Sequence, residues 1–152
     1  MQNDDYPLTD QEFKDIYSKV PRLTVEIILR NDKNEVYLTK RAIEPYIGAW
    51  HLPGGTVRYA ERLTEAVRRV AKRELGLDIG LSEMSQQGYI EYPSYYKHGL
   101  GSPVGIVFVI EKFVGDVSLN SESEQGAWFA KIPEAMHGDQ DVFLVSKGYI
   151  SA

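Results

Sequence analysis

Apolar positions recur along this chain in two periods, and each change of period marks an element. In "LTDQEFKDIYSKV", Phe13, Ile16, Tyr17 and Val20 fall at three- and four-residue intervals, and Thr9 stands three residues before Glu12, the spacing of a capping box. A short helix over about 9–20 is predicted. From Leu63 the same spacing returns at Ala66, Val67, Val70, Ala71 and Leu75, a core-facing stripe closed by Gly76. Between these helices, "RLTVEIILR" and "EVYLTKR" flank the turn-forming "NDKN", so Arg22 to Arg41 reads as a two-stranded hairpin. "AIEPYIGAWHLPGG" is a Pro/Gly-punctuated loop with a short apolar core. "QQGYIEYP" and "PVGIVFVIEKFV" predict two further strands around the loop "SYYKHGLGS", "GAWFAKI" a last strand, and "DQDVFLVSKGYI" a closing helix with Asp139 or Asp141 near its start. Strands in succession with a central and a terminal helix predict an α/β (α+β) fold, a mixed sheet covered by helices.

The chain has 152 residues, 43% of them apolar, enough for one cored domain over 1–152. Its formal charge of −5 argues against a general nucleic-acid surface, which needs a basic stripe, but leaves room for a locally basic pocket that takes a small anion. Without cysteine there is no disulfide framework and no thiolate zinc site, which fits a reducing compartment. The opening "MQNDDYPLTD" is polar and acidic, unlike a secretory signal, and no apolar run approaches the ~18 residues that span a bilayer. A cytoplasmic location with neither nucleic acid nor membrane as partner is expected.

Candidate chemistry begins at Glu74. It lies four residues after Val70, on the edge of the apolar stripe, where a carboxylate is partly desolvated and survives by pairing with a cation or binding a metal. Lys72 and Arg73 are cations at hand. Upstream, "WHLPGGTVRYAE" sets two glycines before the helix, where backbone can approach a ligand and carbonyls can take a hard cation. Together, Gly55, Glu61, Arg69, Glu74 and Gly76 are spaced as glycine, five residues, glutamate, seven residues, arginine, four residues, glutamate, one residue, glycine. That spacing resembles the Nudix box. Arg41, the run "GAWHLPGG" and Trp128 in "EQGAWFAKIP" are also similar to family features, so the resemblance covers nearly the whole chain. It implies a Nudix-type α/β/α sandwich.

In the general family, acids at positions 70, 73 and 74 hold two or three divalent cations against a diphosphate. Here Val70 and Arg73 replace two of them, and the local charge falls to about zero, which leaves a helix able to hold one metal ion. This depleted pattern resembles the branch that hydrolyses GDP-mannose at the sugar, as does "EFKDIYSKVPRLTVEIILRNDKNEVYLTKR". The resemblance implies that the Gly54 carbonyl and Glu74 hold one Mg2+, with Mn2+ as the other suitable ion. It implies that Glu26 contacts the sugar and Arg41 the diphosphate. Counting back from Trp128, the branch's metal-contacting glutamine falls on Glu122 and its general-base histidine on Ser123. Serine is no base near neutral pH, so a one-residue shift gives the base role to Glu122 or Glu124. The family arginine after the glycine pair is Thr56 here, and Arg58 is the replacement in reach of the same phosphate.

The resemblance makes Glu61 and Arg69 an ion pair that fixes the loop, with metal binding by Glu61 as the alternative. His98, in "YPSYYKHGLGSP", is a candidate lid residue over a base or sugar. His51 reads as structural and His137 as a further candidate, while Tyr6, Tyr46, Tyr95 or Tyr96 could stack on a nucleobase. The expected activity is Mg2+-dependent hydrolysis of a nucleoside diphosphate sugar with water attacking the anomeric carbon. The alternatives are ordinary Nudix attack on phosphorus and a nucleotide-sugar-binding module without turnover. The branch is dimeric, and a homodimer using the leading helix is expected.

Overall fold

Strand β1 (Arg22–Leu29) is buried on both faces from Thr24 onward, the signature of a central strand. The computed structural model describes residues 6–44, 46–118 and 123–152. In it, β1 pairs in parallel with β6 (Pro103–Ile110) and antiparallel with β4 (Gly54–Thr56), while β5 (Met84–Glu91) closes the far side in the order β4-β1-β6-β5. A second, antiparallel sheet has the order β3-β2-β7, from β3 (Trp50–His51), β2 (Val36–Arg41) and β7 (Ser123–Phe129).

The expected hairpin over Arg22 to Arg41 is therefore corrected. Both edges of β1 are taken, by β4 and β6, so after the single bridge from Arg30 to Val36 the chain leaves that sheet and β2 joins the other. The strands exist as read, but in two sheets.

Side-chain parity along β1 divides the interior. Val25, Ile27 and Leu29 pack with Val67, Val70 and Leu75 of α2 (Leu63–Leu75), whereas Ile28 packs on the other face with Leu52, Ile90 and Leu144 of the terminal helix. The sheet is thus covered on both sides, an α/β/α arrangement. Glu26 has the parity of Ile28, which puts its carboxylate on the terminal-helix side of the sheet.

The leading helix α1 (Asp10–Tyr17) begins at Thr9 with both bonds of the capping box: Glu12 N–H donates to Thr9 Oγ1 at 3.1 Å, and Thr9 N–H to Glu12 Oε1 at 2.9 Å. Helix α2 ends at Gly76, whose φ of 70° is left-handed and costs an L side chain strain. The segment read as a loop around "SYYKHGLGS" holds a short helix α3 (Pro93–Lys97), begun by a proline at its first turn. The terminal helix α4 (Gly138–Ser146) is capped by His137, with Asp139 and Asp141 in its first turn. Among the described residues no helix is long and apolar enough to cross a membrane.

Candidate active site

Glycine determines where the site forms. Glu26 and Gly54 are register partners across β1 and β4. The bonds from Ile27 N–H to Pro53 O and from Val57 N–H to Leu23 O fix the alternation, so Glu26 and Gly54 form a non-hydrogen-bonded pair. The Gly54 carbonyl then points away from β1, toward the outer edge of β4, which is the edge of its sheet. A Cβ on Gly54 would lie 2.7 Å from the Val25 carbonyl and collide with the Glu26 carboxylate, and one on Gly105 would lie 2.7 Å from Glu26 Cγ. Two glycines thus make room for one buried acid. Gly55 does the same for α2, since a Cβ there would lie 2.9 Å from Val70 Cγ2.

The Glu26 carboxylate is held by a chain of buried hydrogen bonds. Leu52 N–H donates to Gln140 Oε1 at 2.7 Å, Gln140 Nε2 to Tyr92 Oη at 2.9 Å, and Tyr92 Oη to Glu26 Oε1 at 2.9 Å. Thr24 Oγ1 donates to the same oxygen at 3.0 Å. Burial pushes the Glu26 pKa up to about 7, against the bonds from Tyr92 and Thr24 and the charges of Arg22 and Arg41. Tyr92 itself is held well above its ordinary pKa, chiefly by burial and also by Glu26, so it remains a donor.

This network floors a cavity of about 320 Å³ bordered by residues from both sides of the sheet. Glu26, Gly54 and Gly55 line it with Arg41 of β2 and with Arg73 and Glu74 of α2. Glu74 keeps 12% of its side chain exposed, and Arg73 Nε lies 3.8 Å from its Oε2. Arg41 donates to the Glu44 carbonyl at 3.3 Å and is the ladder partner of Ser123. The register slips there: Lys40 faces Gln125 while Arg41 faces Ser123, so Glu124 is the extra residue of a β-bulge. Glu122 lies outside the described residues, and Ser123 and Glu124 are described by backbone alone.

Glu61 and Arg69 meet in a two-point ion pair, Nε to Oε2 at 2.8 Å and Nη2 to Oε1 at 2.9 Å. Arg69 also donates to the Thr56 carbonyl at 2.9 Å, and Glu61 accepts the Arg58 N–H at 3.0 Å, so the pair ties the loop after β4 to α2. Arg69 and its neighbour Arg58 bring Glu61 below the ordinary carboxylate pKa despite burial. The Arg58 guanidinium lies outside the cavity lining, 5.5 Å over the Tyr6 ring that does line it. His98 ends α3, is exposed, and lies outside the lining.

Three contributors escape a linear reading: Tyr92, Gln140 and Gly105. Gly105 left a signal, an isolated glycine inside the apolar run "PVGIVFVI", which marks close approach of another group. Tyr92 and Gln140 left none, because α3 and α4 bring them to Glu26 only in the folded chain. His51 is a lining residue whose Nδ1 donates to the Leu52 carbonyl at 2.7 Å. Burial, then Arg41, pushes its pKa down to about 3, which keeps it neutral.

The NUDIX domain model matches residues 20–143, from the start of β1 into α4. The chain belongs to the Nudix family. Among its curated relatives, the low-salt glycan biosynthesis protein Agl8 of Haloferax volcanii is 34% identical over 119 residues, 77% of this chain and 74% of that protein. The ADP-ribose pyrophosphatase of Methanocaldococcus jannaschii is 29% identical over 109 residues, 72% of this chain and 62% of that protein. A MutT NUDIX hydrolase structure from Burkholderia pseudomallei superimposes with a TM-score of 0.73 at 24% identity, covering 82% of this chain and 96% of that one, a likeness of fold. For a Nudix hydrolase the donor set for a metal is sparse: among the described residues no three His, Asp or Glu side chains gather to hold an ion. One carboxylate, Glu74, and one outward carbonyl, Gly54, both lining the cavity, would suit a single hard divalent cation.

Proposed function

We propose that this Nudix hydrolase cleaves nucleoside diphosphate sugars, with water attacking the anomeric carbon and the nucleoside diphosphate departing. The observation that carries the reading is the placing of a buried strand carboxylate, Glu26, in one cavity with Arg41, Arg73 and Glu74. Sugar hydroxyls are donors, and a carboxylate whose Oε1 is already fixed by Thr24 and Tyr92 is a preorganised acceptor for them. Arg41 and Arg73 supply positive charge for the diphosphate, and guanidinium groups suit its oxygens. Glu74 and the Gly54 carbonyl, with Glu122, are the residues to hold one Mg2+, which adds charge neutralisation on the departing diphosphate. Glu122 or Glu124 takes the proton of the attacking water, and the bulge at Glu124 beside Arg41 supports that placement. The Glu61–Arg69 pair holds the end of β4, the strand that carries Gly54 and Gly55, against α2.

Two relatives support this chemical class by name, one a glycan-biosynthesis protein and one a pyrophosphatase of ADP-ribose, a nucleoside diphosphate joined to a sugar, while others carry the names nucleoside triphosphatase and 8-oxo-dGDP phosphatase. The name of the ADP-ribose pyrophosphatase favours a second reading, attack on phosphorus in the same class of substrate. A panel of GDP-mannose, ADP-ribose and nucleoside triphosphates with Mg2+ tests the proposal. Release of free sugar and nucleoside diphosphate supports it, release of a nucleoside monophosphate supports the second reading, and binding without product leaves a nucleotide-sugar-binding module.

A further inference from the structure

One buried group at the cavity wall has no part in the chemistry above. His137 is 5% exposed, lines the cavity, and caps α4 by accepting the Asp139 N–H on Nδ1 at 3.3 Å. Burial lowers its pKa, with Arg41 acting in the same direction and Asp139 and Asp141 against, so the ring is neutral near pH 7. A neutral imidazole that accepts on Nδ1 carries its proton on Nε2. That Nε2 is buried and has no hydrogen-bond partner among the described residues. An orphaned buried donor is costly and calls for an explanation.

A second oddity lies against it. The rings of Tyr46, Tyr92 and Tyr95 stand 4.8, 5.5 and 5.7 Å from the imidazole. Tyr92 and Tyr95 belong to α3 and its cap, but Tyr46 comes from the loop between β2 and β3 and has a φ of 65°. Left-handed backbone is an outlier for so bulky a residue, and such strain clusters at ligand clamps. The Tyr46 hydroxyl donates to Ser94 Oγ at 3.2 Å, and Ser94 in turn to the Asp139 carboxylate in the first turn of α4. A strained loop tyrosine therefore packs against the imidazole that carries the unpartnered donor.

The cavity lining differs along its length. Near the start of β1 it gathers the rings and apolar side chains of Tyr6, Phe13, Leu100 and Pro103 around Arg22 and Thr56. Glu26 lies four residues further along the strand, ~13 Å away, and with Tyr92, His137 and Gln140 makes a polar lining. The first suits a planar base, the second a hydroxylated ring.

We propose that His137 is a specificity residue for the sugar half of the ligand: when the Tyr46 ring moves aside, Nε2–H donates to a hydroxyl or ring oxygen of the bound sugar. The ligand class rests on the function proposed above, while the donor and its strained neighbour are properties of this chain.

Two substitutions separate this role from capping. His137→Asn keeps an acceptor where Nδ1 stands and loses the distal donor; His137→Gln keeps an N–H near Nε2 and loses the cap. Titration calorimetry in EDTA, which prevents turnover, with GDP-mannose and ADP-ribose against GDP and ADP, reads both. The expected result is about tenfold weaker binding of a nucleotide sugar by His137→Asn, unchanged binding of GDP and ADP, and near wild-type binding by His137→Gln despite a lower melting temperature. Wild-type affinity in His137→Asn, or equal weakening for the nucleotide sugar and the free nucleoside diphosphate, overturns the proposal. In the wild-type protein, the 15N–1H resonance of His137 Nε2 should shift with the nucleotide sugar and stay still with GDP or ADP. A nucleotide sugar that binds without moving it overturns this inference alone, whereas failure of every nucleotide sugar to bind with Mg2+ present as well as in EDTA removes the function reading too.

Discussion

Glu26 and Gly54 face each other across β1 and β4 in a pair without ladder hydrogen bonds, and the carboxylate occupies the space that a side chain on Gly54 would need. One relationship sets two features of the site. It leaves room for a buried acid at the cavity floor, and it turns the Gly54 carbonyl outward toward the edge of the sheet.

Gly54→Ala should therefore be costly in both respects. The added methyl meets the Val25 carbonyl and the Glu26 carboxylate, neither of which can retreat without breaking a strand or the bonds to Thr24 and Tyr92. A loss of about 1–3 kcal/mol in urea denaturation is expected, together with a fall in turnover of at least about tenfold. Gly105→Ala should show the same loss of stability, because it presses on Glu26 from the other neighbouring strand.

Stability should also depend on pH through Glu26. Burial lifts its pKa from the ordinary 4.5 to about 7, so the folded chain retains a proton that the unfolded chain has released. The stabilisation from this group is full below about pH 4.5 and is lost as pH rises through about 7. Glu26→Gln removes the ionisation and keeps an oxygen to accept from Tyr92 and Thr24. In EDTA, the variant should gain stability relative to wild type between about pH 5 and about pH 8, by on the order of 3 kcal/mol in urea denaturation. A constant difference across that range would mean that Glu26 titrates as an ordinary carboxylate.

These predictions rest on features of unequal visibility in the sequence. Helices α1 and α2 were legible because local rules fix them: the capping box at Thr9, the stripe from Ala66 to Leu75, the glycine at 76. The box spacing also singled out Gly55, Glu61, Arg69 and Glu74, and of these Glu61 and Arg69 meet in a two-point ion pair. The partners of Glu26 were not legible. Whether β1 pairs with β2 or with β4 and β6 depends on long-range competition for its edges, and the turn "NDKN" carries only the local half of that choice. His98 and Tyr92 are near in sequence, yet α3 carries Tyr92 to Glu26 and leaves His98 exposed.

Glu74 and Val70 should separate function from folding. Glu74→Gln is expected to lower Mg2+-dependent turnover by at least about 100-fold with little change in denaturation, since a ligand is lost and no cavity is made. Val70 is 1% exposed in the α2 stripe, and Val70→Glu buries an unpaired charge there. That variant should fold poorly before its activity can matter. Full activity in Glu74→Gln would return Glu74 to an ion pair with Arg73.

For the base, Glu122→Gln or Glu124→Gln should abolish turnover and Ser123→Ala should not. The acid limb of the rate profile should then lie below the range of a free imidazole. An inactive Ser123→Ala protein with both glutamine variants active would transfer the role away from the carboxylates.

The most direct test of the proposed reaction is where the water oxygen goes. With Val70 and Arg73 at the positions where further metal-binding acids would stand, Glu74 is the α2 carboxylate proposed to hold an ion, and Glu26, proposed to hold a sugar, lines the same cavity as Arg41. Departure of a nucleoside diphosphate from an anomeric carbon needs that charge, a positioned water and a base. Hydrolysis of a nucleotide sugar in oxygen-18 water, read by mass spectrometry, should place the label on the free sugar. Label on phosphate, with a nucleoside monophosphate or a sugar phosphate as product, would contradict the account and assign the protein to attack on phosphorus.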